Sequence, residues 1–107
     1  MKKVLFVCSQ NRLRSPTAEK LFNGMADIQV RSAGLDADAT TPVTRELIDW
    51  ATMIVVMEKP HLNKLKKKFR PYLVGKRVVC LNIPDEYNYM DEALIQLFKS
   101  RMARYWA

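Results

Sequence analysis

Four short apolar runs punctuate the chain: Lys3-Val-Leu-Phe-Val7, Ile28-Gln-Val-Arg-Ser32, Met53-Ile-Val-Val-Met57 and Arg77-Val-Val-Cys-Leu81. Each is of strand length, rich in β-branched residues and bounded by polar or turn-forming residues, so each predicts a strand. The intervening segments carry a different period. Ala18, Leu21, Phe22 and Met25 recur at i, i+3, i+4 and i+7, one buried stripe of a helix. After the fourth run Asp91 can cap a helix whose stripe continues through Leu94, Leu97, Phe98, Met102 and Tyr105. Shorter helices are predicted over residues 43–50, with Leu47 and Trp50 turned to the core, and over residues 62–69. The latter places Leu62, Leu65 and Phe69 on one stripe, and Lys64, Lys66, Lys67, Lys68 and Arg70 on a solvated basic face.

Strands that alternate with helices predict an α/β fold with a parallel sheet and right-handed crossovers. The near-continuous apolar runs one, three and four suit strands covered on both faces, whereas Ile28-Gln-Val-Arg alternates and suits an edge. Ligands of such open sheets sit beyond the carboxyl ends of the strands, where strand order reverses. Cys8 and the segment Asn82-Ile-Pro-Asp-Glu-Tyr-Asn-Tyr-Met90 both leave strands at that edge.

With 107 residues, the chain is expected to form one domain, residues 1–107, around a single site. A hydrophobic fraction of 49% with 27% charged residues is that of a globular protein, and no apolar run reaches membrane-spanning length. A cytoplasmic location and no membrane partner are the expectation. Two distant cysteines make no disulfide framework, and without a CxxC or Cys/His cluster neither a metal nor another cofactor is expected. A net charge of +7 favours anionic partners without naming the anion.

The chemistry concentrates in Cys8-Ser-Gln-Asn-Arg-Leu-Arg14-Ser15-Pro16, a cysteine at a strand end followed by a short loop, an arginine and a helix start. Such a loop can wrap an oxyanion with backbone N–H groups while the sulfur attacks from below and Arg14 clamps from the side. Ser15 is expected to be the N-cap and Pro16 the first helical residue. A cation at a helix N-terminus opposes the helix dipole, a cost readily explained by an anion bound there.

Together these residues resemble the low-molecular-weight protein tyrosine phosphatase family, in particular its short bacterial branch. Residues 7–19 are similar to the family's phosphate loop and first helix, Arg31-Ser-Ala-Gly34 to the end of its second strand, Ile54-Val-Val-Met57 to its third, and Ile83-Pro-Asp85 to its acidic loop. The resemblance implies a three-layer sandwich around a four-stranded parallel sheet of order 2-1-3-4. It also implies a cysteine-dependent phosphomonoester hydrolase, foremost a protein tyrosine phosphatase, working through a phosphocysteine intermediate. Cys8 would be the nucleophile, Arg14 the bidentate phosphate ligand and Asp85 the acid that protonates the leaving group and then activates water. Ser9, Gln10, Asn11, Arg12 and Leu13 would form the phosphate-binding loop, with Asn11 holding its shape and Ser15 donating towards the sulfur. Tyr87 and Tyr89 could wall the pocket. The implied partners are a phosphorylated protein or small phosphomonoester, and inorganic phosphate as product or inhibitor. Against the family pattern, Gln10 stands where glycine is usual, Leu13 where many members carry a second cysteine, and Glu86 where proline follows the acid. The region between Gly34 and Trp50, where the family's substrate-gripping aromatic normally lies, is also shorter than in its larger members.

Other readings compete at individual residues. Asp91 rivals Asp85 as the acid but is well placed as a helix cap, Cys80 reads as core, and His61 could pair with Cys8 in a thiol hydrolase that would leave Arg14 without a role. For the whole chain, the rivals are an arsenate reductase on the same scaffold, a non-enzymatic phosphoanion-binding module and a basic nucleic-acid adaptor. Arsenate reduction needs a further thiol that reaches Cys8. No aromatic residues interleave with the lysines to support nucleic-acid binding.

Overall fold

The computed structural model describes residues 2–106. Parallel strands β1 (Lys2–Cys8), β2 (Ile28–Gly34), β3 (Met53–Val56) and β4 (Arg77–Cys80) form one sheet in the order β2-β1-β3-β4. The helices are α1 (Arg14–Phe22), α2 (Arg45–Trp50), α3 (Lys59–Phe69) and α4 (Glu92–Met102), with short 3-10 turns at Arg70–Leu73 and Ala103–Tyr105. No helix among the described residues is long and apolar enough to cross a membrane.

The two-residue period of the central strands divides the core in two. Val4, Phe6 and Cys8 of β1, with Met53 and Val55 of β3, face Ala18 and Phe22 of α1 and Leu94, Phe98 and Met102 of α4. Leu5 and Val7 of β1, with Ile54 and Val56 of β3, face Ile48 of α2 and Leu65 of α3. Helices therefore cover both faces of the sheet, giving the expected three layers. Phe98 anchors the first layer edge-to-face against Phe6 and Phe22, at centroid separations of 6.0 and 6.3 Å.

Several expectations need correction. Helix α1 ends at Phe22, so Met25 lies outside its stripe and is 36% exposed. The helix begins at Arg14 with Leu13 in the N-cap position and no side-chain cap, so Ser15 is already inside the first turn. Strand β4 pairs only with β3, at the edge that the expected order 2-1-3-4 gives it, although its apolar run suited a central position. Its Arg77 is exposed and its Cys80 half-buried, because no further strand covers that side. Trp50 does pack against the α2/α3 core, partly buried, with the Arg31 guanidinium 4.5 Å above its ring. Asp91 does cap α4, accepting from the Ala93 N–H at 2.9 Å.

Candidate active site

Strand order reverses between β1 and β3, the position where this topology opens a crevice. The loop leaving β1 there is shaped by its carbonyls. The segment after β2 runs alongside and donates three backbone hydrogen bonds: Leu35 N–H to the Cys8 carbonyl at 2.9 Å, Asp36 N–H to Ser9 at 2.9 Å and Thr40 N–H to Gln10 at 3.1 Å. In a planar trans peptide the C=O and the next N–H point in opposite directions. Turning these carbonyls outward therefore turns the N–H groups of Ser9, Gln10 and Asn11 inward. The Asn11 N–H lies 3.2 Å from Cys8 Sγ, as that orientation requires.

Gly34 permits this close approach. A Cβ there would stand 2.6 Å from the Ser9 carbonyl oxygen, 2.6 Å from Ala39 Cβ and 3.0 Å from the Asn11 nitrogen. Asn11 takes the loop's left-handed conformation (φ 56°), which asparagine tolerates, while Gln10 keeps a negative φ and needs no glycine.

Cys8 is 3% exposed at the floor of a cleft of about 450 Å³ lined by Ser9, Gln10, Arg12, Leu13, Arg14 and Asp85. Ser15 Oγ sits 3.0 Å from the sulfur and 2.8 Å from Asn11 Oδ1. One hydroxyl hydrogen serves one strong acceptor at a time. With a thiol at Cys8, the S–H can donate to Ser15, which donates to Asn11; with a thiolate, the Ser15 hydrogen can turn to the sulfur.

Arg14 is 5% exposed and held from two sides. Its Nη1 donates to Glu58 Oε1 at 2.5 Å and to the Ile83 carbonyl at 2.9 Å, and its Nε lies 3.7 Å from Asp85 Oδ1. Ile83 is fully buried, and its N–H bonds the Met57 carbonyl at 2.8 Å. The acidic loop is thus fixed to the sheet immediately before Asp85. Its far end is fixed too, where the Met90 N–H reaches Thr17 Oγ1 of α1 at 2.9 Å. Between these anchors Asp85 is exposed and on the cleft wall.

The cleft therefore brings together Cys8, Ser9, Gln10, Arg12, Leu13, Arg14 and Asp85, with Asn11 and Ser15 bracing it from beneath. Tyr87 instead packs against the α1/α4 core, and Tyr89 is 49% exposed without lining the cleft. Cys80 lines a different hollow with Ser100, Arg101, Arg104 and Tyr105. His61 contacts the loop at Ser9, where its Nε2 stands 2.9 Å from Oγ. Burial, and then the Arg14 charge, push the His61 pKa below its ordinary value.

Glu58, which sequence reasoning passed over, is the closest counter-charge to Arg14. The signal was local: Glu58 and His61 bracket the N-terminus of α3 as a capping box with Pro60 inside the first turn. Among the described residues no group of three or more His, Cys, Asp or Glu side chains is placed to hold a metal ion.

Comparison with known proteins agrees with this architecture. The low molecular weight phosphotyrosine protein phosphatase family profile matches residues 3–51, which include the whole Cys8–Arg14 loop. A protein-arginine-phosphatase of Bacillus subtilis (strain 168) is 28% identical, with 64% of this chain and 64% of that protein covered. The chain thus spans just under two thirds of that relative's length. The YwlE arginine phosphatase from Geobacillus stearothermophilus superposes with a TM-score of 0.79 at 21% identity, covering 99% of this chain and 93% of that one. The tyrosine phosphatase Wzb from Escherichia coli K30, in complex with phosphate, superposes with a TM-score of 0.78 at 20% identity, covering 97% and 95%. The matched segment thus holds the whole loop, and the sheet order β2-β1-β3-β4 is that of the fold these solved phosphatases share.

Proposed function

We propose that this protein is a phosphomonoester hydrolase that works through a phosphocysteine intermediate, with phosphorylated tyrosine in proteins as its foremost substrate class. The observation that carries this reading is a cysteine sulfur at the floor of an inward-facing ring of amides, with Arg14 and Asp85 on the same cleft. The amides and the Arg14 fork hold the equatorial phosphoryl oxygens where charge must be stabilised. Cys8 Sγ attacks phosphorus as the ester P–O bond breaks, and the Asp85 carboxyl gives its proton to the departing oxygen. In the second step the Asp85 carboxylate takes a proton from the attacking water. The P–S bond then breaks and the sulfur leaves as a thiolate that accepts from Ser15. Inorganic phosphate is the product and, occupying the same ring, an inhibitor.

A second reading, hydrolysis of phosphorylated arginine, is favoured by the names of two relatives. Against it stands Arg12, exposed on the cleft lining and without a hydrogen-bond or ion-pair partner among the described residues. Its charge would repel the guanidinium of such a substrate.

Turnover of p-nitrophenyl phosphate, a phosphotyrosine peptide and a phosphoarginine peptide tests both readings. The expected result is hydrolysis of the first two, none in Cys8→Ser, and a loss of about a hundredfold or more in Asp85→Ala, the scale of a positioned general acid. Wild-type turnover in Cys8→Ser overturns the proposed mechanism. Faster cleavage of the phosphoarginine peptide than of the phosphotyrosine peptide overturns the substrate class. Phosphate binding without any turnover would leave a phosphoanion-binding module.

A further inference from the structure

The contact between Ser9 and His61 has a direction that its neighbours decide. The Glu58 backbone N–H donates to His61 Nδ1 at 3.1 Å, so that nitrogen carries a lone pair. The proton of the neutral imidazole is therefore on Nε2, which faces Ser9 Oγ at 2.9 Å. Ser9 is the acceptor in that bond. Its own hydroxyl hydrogen must go elsewhere, and among the described residues no acceptor takes it. Ser9 is also one of the residues lining the cleft above Cys8.

We propose that the Ser9 hydroxyl is a side-chain donor to the bound phosphoryl group, and that His61 is the positioning residue that orients it. This rests on the phosphatase reading and adds to the amide ring a donor whose direction is set from α3. The same turn reaches both flanks of the loop. His61 holds Ser9 near its start, while the Glu58 carboxylate holds Arg14 at its end and also accepts from the His61 backbone N–H. The capping box that starts α3 thereby fixes the spacing between a hydroxyl donor and the guanidinium.

The arrangement needs a neutral ring. A proton on Nδ1 would confront the Glu58 N–H donor and break the cap. The charged groups around the ring are Arg14 from α1, Glu58 at the start of α3, Asp36 from the segment after β2 and Asp85 from the acidic loop. Burial and the Arg14 charge favour the neutral form, while the three carboxylates oppose it.

The test is a double-mutant cycle of Ser9→Ala and His61→Ala, with His61→Gln as the conservative variant. It is read by kcat/KM on p-nitrophenyl phosphate from pH 5 to 8 and by calorimetric affinity for inorganic phosphate. Circular dichroism and urea midpoints establish that each variant folds. Loss of one hydrogen bond to a charged group predicts about a ten- to hundredfold fall in kcat/KM for Ser9→Ala, with weaker phosphate binding. His61→Ala should cost less than about threefold more when Ser9 is already alanine, and His61→Gln, which can still donate, should recover part of the loss. Wild-type kcat/KM and phosphate affinity in Ser9→Ala, or full multiplication of the two losses, overturns the proposal. Cys8→Ser in the same assay tests the phosphatase reading separately. Should the wild type show no turnover, the phosphate affinities of the same variants still decide the role of Ser9.

Discussion

Gly34→Ala tests whether the loop's chemistry depends on the rail beside it. The added methyl would stand 2.6 Å from the Ser9 carbonyl oxygen and 3.0 Å from the Asn11 nitrogen, both backbone atoms, and 2.6 Å from Ala39 Cβ. No flexible side-chain end is available to swing away, so the backbone of β2 or of the loop must move. Overpacking of this kind costs about 1–3 kcal/mol. The displaced atoms are those that turn the amides inward, through the Asp36 bond to Ser9 and the Asn11 bond to the sulfur. Misplacing reacting groups by about 1 Å can cost about a hundredfold in rate. Urea unfolding and kcat/KM on p-nitrophenyl phosphate measure the two effects, and activity should fall by much more than the fraction unfolded explains. Gly75→Ala is the control: Gly75 has φ +79° and nothing within 4 Å of an added Cβ. It should lose about 1–2 kcal/mol to left-handed strain while keeping wild-type activity. If Gly34→Ala matched the wild type in both measurements, or the two variants behaved alike, the rail would not be shaping the loop.

Packing and titration give three further outcomes. Phe98→Ala removes a fully buried ring that meets Phe6 and Phe22, so it should lower the unfolding free energy by about 3–5 kcal/mol in chemical denaturation. Because His61 has a folded pKa below its ordinary 6.5, the unfolded chain binds its proton first as pH falls through that value. Stability should therefore decline with falling pH from about 6.5 down to the folded pKa. The His61→Gln variant should lack that part of the slope in urea midpoints between pH 5.5 and 7.5. An unchanged slope would show that the ring is not held neutral. The depressed carboxyl of Asp36, bonded to Lys64, acts in a separate window, losing its contribution below the ordinary carboxylate value of 3.8.

The local signals along the chain were sufficient for the elements because each has a short-range cause. Alternation in β1 and β3 sorts side chains onto two faces, and the stripe Leu94, Phe98, Met102 needs only the 3.6-residue period. The candidate nucleophile and arginine could be picked out for a related reason: Cys8 ends β1 and Arg14 begins α1, where the type and spacing of residues suggest the chemistry, whereas Asp85 lies in the loop after β4 and was suggested by the resemblance. The left-handed backbone of Asn11 was legible from its residue type alone.

Competition between distant groups was not legible. Ser15 has every local mark of an N-cap, yet its hydroxyl turns to Cys8 and Asn11, which only the closed loop presents to it. An apolar run does not reveal whether a strand has one neighbour or two: the run of β4 suits a central strand, yet β4 is the edge that the order implied by the resemblance makes it. Glu58 looked like a simple capping residue, and nothing near it in sequence announces the guanidinium 44 positions earlier that it pairs. The outward turn of three loop carbonyls is likewise decided by residues 35–40. Hydrophobic period and turn chemistry act over a few residues and are written into the chain directly. Hydrogen-bond direction and charge pairing depend on which groups the folded sheet edge brings within 3 Å, and that is settled only when the strands have taken their order.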